Sequence, residues 1–130
     1  MKSFFLLMLF TCFSIASSLG QIQAKWIGGY PGRSKDWNCA MNWSNNKVPN
    51  EFTDVSIPSF EYCYMNYPEL YLGVKEVRSL ELGNYARLKI STNSQLIVHK
   101  KASQELNLNR IEIKGRLIIK YHDPYVFATH

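Results

Sequence analysis

The chain has 130 residues, of which 46% are hydrophobic, 14% aromatic and 19% charged; the length suits one domain, and the composition excludes disorder as the default. Its formal net charge of +5, from 15 Lys+Arg against 10 Asp+Glu, would suit an acidic partner but is modest for a nucleic-acid binder. The sequence carries no helix-turn-helix, zinc-finger or RNA-binding signature, so nucleic acid is not an expected partner.

The chain opens with Lys2, the apolar run Phe4-Phe5-Leu6-Leu7-Met8-Leu9-Phe10 and the small-residue stretch Ser14-Ile15-Ala16-Ser17-Ser18-Leu19-Gly20, the grammar of a secretory signal peptide. Ser18 and Gly20 stand three and one positions before Gln21, which predicts cleavage after Gly20, with cleavage after Ala24 as the nearby alternative. The apolar run is shorter than the ~20 residues a spanning helix needs, and no later segment is apolar enough to cross a bilayer. Cys12 lacks the small residue expected before a lipidated cysteine. The expected product is therefore an exported chain of residues 21–130, at the cell surface, in the periplasm or released. Losing Lys2 takes its charge from +5 to +4.

Two cysteines remain, Cys39 and Cys63. In an exported chain they suggest one disulfide, worth on the order of 3 kcal/mol by the chain-entropy argument. No CxxC spacing exists, and His99, His122 and His130 all lie far along the chain, so no thiol or metal chemistry is expected.

Residues 21–73 hold Trp26, Trp37 and Trp43 with Tyr30, Phe52, Phe60, Tyr62, Tyr64, Tyr67 and Tyr71, broken up by Pro31-Gly32, Asn45-Asn46, Pro49-Asn50 and Pro58-Ser59. This half predicts a loop-rich aromatic cap in which only Asp54-Val55-Ser56-Ile57 reads as a clear strand. Over residues 74–120 the pattern changes to short alternating runs separated by Gly, Asn and Ser. Leu80/Leu82, Leu88/Ile90, Leu96/Val98, Ile111/Ile113 and Leu117/Ile119 would face inward, and Glu81, Arg87, Lys89, Glu112, Lys114, Arg116 and Lys120 would face water. Residues 100–108 could make one helical turn, but Leu106 and Leu108 fit a continued alternation better. Residues 121–130 form a tail that could cover one end. No helical period appears past the leader, so the fold class is all-β. Short turns and repeated x-Leu-x-Ile/Leu/Val runs favour a short right-handed parallel β-solenoid, with a β-sandwich as the alternative.

The stretch Trp26-Ile27-Gly28, then Asp36-Trp37-Asn38-Cys39-Ala40-Met41-Asn42-Trp43-Ser44, then Val48-Pro49, then Thr53-Asp54-Val55-Ser56-Ile57-Pro58 resembles a module of secreted and cell-surface proteins of Bacteroidetes bacteria. That module's pattern is W-x-G, D-W-x4-N-W-S, V-P and T-D-x-V-x-I-P. Tyr67-Pro68 and the leucine strands through Val98 follow in the same order, so the likeness covers about residues 25–100. The resemblance implies an extracellular β-solenoid-like module, usually part of a larger surface or adhesin-type chain and carrying no assigned reaction.

Candidate chemistry is sparse. The ten carboxylates are scattered, and no GxSxG, HExxH or Cys/His pairing appears, so the expectation is a non-enzymatic structural or adhesive interaction module without a cofactor. A small carbohydrate-binding protein is the alternative, because sugars stack on exposed rings. Trp37, Tyr62 and Tyr64 are the candidate platforms, the two tyrosines sharing a face if residues 60–65 are extended. Arg87, Lys89, Lys114, Arg116 and Lys120 could align as a basic face for an anionic polysaccharide. Asp36, Asn42 and Asp54 could ligate calcium, although turn capping suits them better. Asn42-Trp43-Ser44 also spells an N-glycosylation triplet. The partners expected are a glycan or another envelope protein, and uncapped strand edges could pair copies into a homo-oligomer.

Overall fold

A computed structural model of the chain describes residues 22–60 and 66–121. The leader, the Tyr62, Cys63 and Tyr64 positions and the tail beyond Tyr121 lie outside the described residues. Among the described residues nine strands follow in order: β1 Ile22–Lys25, β2 Thr53–Ile57, β3 Glu69–Leu70, β4 Gly73–Val77, β5 Ser79–Leu82, β6 Leu88–Ile90, β7 Ser94–Val98, β8 Ile111–Ile113 and β9 Arg116–Ile119. Three-residue 3-10 turns lie at Ala40–Asn42 and Leu108–Arg110. The described residues contain no α-helix, and the fold is all-β.

Alternation makes these segments strands. In β2 and β7 every second side chain is buried and the rest are half-exposed, the period-two pattern of a strand with one face on a core. The strands form three sheets of three, ordered β1-β2-β5, β3-β6-β8 and β4-β7-β9. Every pairing within them is parallel. Register places like on like: Ala24, Val55 and Leu80 stand in one row of the first sheet, Leu70, Ile90 and Ile113 in the second, and Val77, Val98 and Ile119 in the third. Side chains from all three sheets meet in one hydrophobic cluster with Trp26, Trp37 and Trp43. Burying each large apolar side chain contributes roughly 1.5–3 kcal/mol. The inward set foreseen from the alternation is the observed one, although Leu82, Ile113 and Ile119 are only half-buried.

β1, β2 and β3 join the same parallel sheets as the later strands, and the bridge Asp36↔Glu69 prolongs the second sheet backwards, so the first half supplies more strands than the Asp54-Val55-Ser56-Ile57 run that its sequence makes clear. β3, at two residues, is too short for alternation to show. Residues 101–107 form neither helix nor strand. The Asn107 side chain instead accepts from the Asn109 backbone N–H at 3.0 Å and starts the second 3-10 turn, a local cap that competes with ladder pairing.

Candidate functional site

The most distinctive surface feature is a cavity of about 440 Å³ at the corner that follows β5, lined by Ser59, Phe60, Tyr85, Arg87 and Arg110. Beside it lies a turn tied by hydrogen bonds. The Gly83 N–H donates to the Ile57 carbonyl at 2.8 Å, and the Gly83 carbonyl accepts from the Ala86 N–H at 3.1 Å and from Arg110 Nη1 at 2.7 Å. The Tyr85 N–H donates to Ser59 Oγ at 3.0 Å. A Cβ at position 83 would stand 2.6 Å from the Ser59 nitrogen and 2.7 Å from its Oγ, so only glycine lets the two corners approach this closely. Phe60 is fixed by Tyr67: the phenol oxygen accepts from the Phe60 N–H at 2.9 Å, and the rings lie 5.5 Å apart.

Tyr85 is 76% exposed, although a phenol ring is usually at least half-covered on a small domain. Arg110 spends one of its five donors on the Gly83 carbonyl. Arg87 is exposed. The site therefore presents two guanidinium groups beside an open aromatic face. Of these residues only Arg87 was singled out from the sequence. The missed signal is an aromatic residue placed directly after Gly83-Asn84, in a turn where the strand alternation requires no apolar side chain.

The other expected site residues are dispersed. Trp37 is fully buried and meets Trp43 edge to face at 4.8 Å and 74°. It is a core residue, and a ring with no solvent-facing side cannot stack on a sugar. Trp26 packs on Trp43 in the same way at 5.0 Å. The indole N–H groups of Trp43 and Trp26 donate to the Trp37 carbonyl at 2.8 Å and the Asn66 carbonyl at 2.7 Å. Asn42, also fully buried, donates to the carbonyls of Arg33 at 2.6 Å and Asp36 at 3.1 Å and accepts from the Tyr30 N–H at 3.0 Å. Its amide is inaccessible to a glycosylating enzyme once the chain has folded. Asp36 is taken by Arg33 at 2.7 Å, and the Arg33 guanidinium is raised above its ordinary pKa by its hydrogen bond to that carboxylate. Asp54 accepts from Ser79 Oγ at 2.6 Å on the first sheet. Asp36, Asn42 and Asp54 are thus committed to protein partners in two different places. The side chains of Trp26, Trp37, Asn42 and Trp43 are therefore buried structural groups. Cys39 is a buried free thiol.

The expected basic face does not form. On the outer side of the second sheet the register is Glu69, Lys89, Glu112, with Lys89 3.2 Å from Glu69 and Lys114 3.5 Å from Glu112, so charges alternate instead of accumulating. Arg116 belongs to the third sheet, opposite Gln95. Lys120 is exposed just beyond β9. The Tyr71 phenol pKa is raised, by burial first and by the neighbouring Glu69 carboxylate second.

A larger, shallower groove of about 730 Å³ covers the outer side of the first sheet. Asp54, Arg78, Glu81, Lys100 and Lys101 contribute to it. Its charges are partly spent on one another: Arg78 lies 3.5 Å from Asp54, and Ser103 Oγ donates to Glu81. Such a groove is polar and of mixed sign, without an aromatic platform. No protein-family model, curated protein or solved structure matches the chain.

Proposed function

We propose that this chain is an exported, non-enzymatic interaction module of the cell envelope or extracellular space, and that its three sheets are the faces of one short right-handed β-solenoid. Support for the solenoid comes from return spacing. The chain comes back to the same sheet after 21 residues from Gly73 to Ser94 and after 21 again from Gln95 to Arg116, and each return is parallel with like side chains aligned. The right hand follows from the general handedness of parallel crossovers. Export and the Bacteroidetes-type module belong to the same reading.

The observation that carries the adhesive role is an apolar corner. Tyr71, Leu72 and Val74 are 47%, 65% and 62% exposed within four consecutive residues, and gathered exposure of this kind marks protein contact surfaces. The test is adhesion of the exported chain to intact cells of its source, with Leu72→Ser/Val74→Ser as the variant. Loss of adhesion at an unchanged melting temperature is the expected result; undiminished adhesion by the variant, or none by the parent chain, would refute it. A second reading, carbohydrate binding, is favoured by the open Tyr85 ring in its arginine-lined cavity.

A further inference from the structure

We propose that the cavity formed by Ser59, Phe60, Asn84, Tyr85, Arg87 and Arg110 is a subsite for an acidic sugar, a uronic acid unit of an anionic polysaccharide. The inference rests on the carbohydrate-binding reading above and names its ligand class.

Three features of the cavity define the chemistry. First, Tyr85 is the most exposed large hydrophobic side chain among the described residues, at 76%, and it projects from a turn whose backbone is tied by Ser59 Oγ and by the Gly83 carbonyl. The platform is therefore held in place before any ligand arrives, which lowers the ordering cost of binding. A pyranose ring has an apolar face of C–H groups that suits such a phenol.

Second, Arg87 makes no ion pair or hydrogen bond within the described residues, in contrast to Lys89 and Lys114 on the neighbouring sheet face, which have carboxylate partners. Arg110 is braced by the Gly83 carbonyl through Nη1, leaving the rest of its fork to a ligand. A guanidinium pairs with a planar carboxylate through two parallel hydrogen bonds, a geometry an ammonium cannot match. Among the described residues the lining contains no carboxylate to compete for those donors.

Third, the size and mixture fit. A cavity of about 440 Å³ falls in the range of small-ligand sites, and Asn84 and Ser59 add polar groups able to meet hydroxyls. Phe60 closes one side with an apolar wall locked on Tyr67. Apolar ring, paired cations and neutral hydrogen-bonding groups in one concavity correspond to the three faces of a uronic acid: C–H face, carboxylate and hydroxyls.

The test is titration of the exported chain with a panel of homouronate tetrasaccharides, each alongside its carboxyl-reduced neutral counterpart, at near-physiological salt. Saturable binding to at least one uronate is expected, and carboxyl reduction should weaken it about tenfold or more, the loss of charge-assisted hydrogen bonds. Tyr85→Ala should weaken binding about three- to tenfold and Arg87→Gln about tenfold. Both residues are exposed, so melting temperatures should not move. Arg116→Gln, on another sheet, serves as the charge control and should bind like the parent. Equal binding of acid and neutral sugars would overturn the uronate assignment while leaving carbohydrate binding standing; absence of binding to every sugar would overturn both. Equal loss in Arg87→Gln and Arg116→Gln would reduce the effect to diffuse charge. Equally tight binding of an Asp/Glu-rich peptide would assign the site to protein recognition. Either result overturns the proposal.

Discussion

Replacing Asn42 with Ala tests whether the motif around the tryptophans is structural. The side chain is fully buried and makes three hydrogen bonds, two donated to the Arg33 and Asp36 carbonyls and one accepted from the Tyr30 N–H. Each is worth about 0.5–1.5 kcal/mol net, so losing all three costs about 2–4 kcal/mol, since water reaches only part of the vacated groups. At roughly 4 °C per kcal/mol for a domain of about a hundred residues, the melting temperature should fall by about 8–15 °C. Asn42→Asp separates hydrogen bonding from volume. Aspartate keeps the acceptor for Tyr30 but replaces the donating nitrogen with an oxygen that faces two carbonyl oxygens, so its loss should equal or exceed that of Ala. Circular dichroism melts of the three proteins decide the matter. An Asp variant close to the parent would show that filling the space suffices, and a fall of only a degree or two in the Ala variant would show that the loop between β1 and β2 does not depend on this residue.

Gly115→Ala should be destabilising by about 1–3 kcal/mol or more, because its Cβ would lie 2.1 Å from the Ser94 carbonyl oxygen and 2.3 Å from that of Ser91; a urea midpoint like the parent's would refute this close approach of successive corners. Amino-terminal sequencing of the exported chain should read from Gln21, since β1 runs Ile22–Lys25 and Ala24 is 1% exposed opposite Val55. A chain begun at Lys25 should show a lower urea midpoint. Tyr71 titrates above the ordinary tyrosine value of about 10 through burial and the neighbouring Glu69 carboxylate. Its contribution to stability is therefore complete below that value and lost as pH rises through the folded-state pKa. Tyr71→Phe should remove a late-ionising component from the phenolate absorbance, and an unchanged titration curve would count against the Glu69 contact.

Leu88-Lys89-Ile90 and Leu96-Ile97-Val98 betray their strands because period two is written in adjacent residues. The neighbour of each strand is not written there. Lys89 reads as one member of a basic run until the register brings Glu69 beside it on one side and Glu112 on the other, from segments far apart in sequence. A charge pattern along one strand therefore says which way a side chain points and nothing about the sign of its lateral neighbours. Trp37 failed as a binding candidate for a related reason. Composition cannot distinguish a ring wedged on Trp43 from one open to water, and here the edge-to-face pair and its burial decide.

The same reasoning explains why the best binding candidate lies at a turn. Along parallel rows such as Ala24, Val55 and Leu80, each inward position must match the ones above and below it, and each outward position meets a lateral partner, so strand residues are constrained on both faces. Corner residues have no such obligation beyond the hydrogen bonds that close the turn. Gly83 and Ser59 meet that obligation through backbone and hydroxyl contacts. The Tyr85 ring is left 76% exposed with no packing task to account for a large apolar group. A side chain that costs solvation and contributes nothing to the core is the place to look for a ligand, and the arginines lining the same cavity specify its charge.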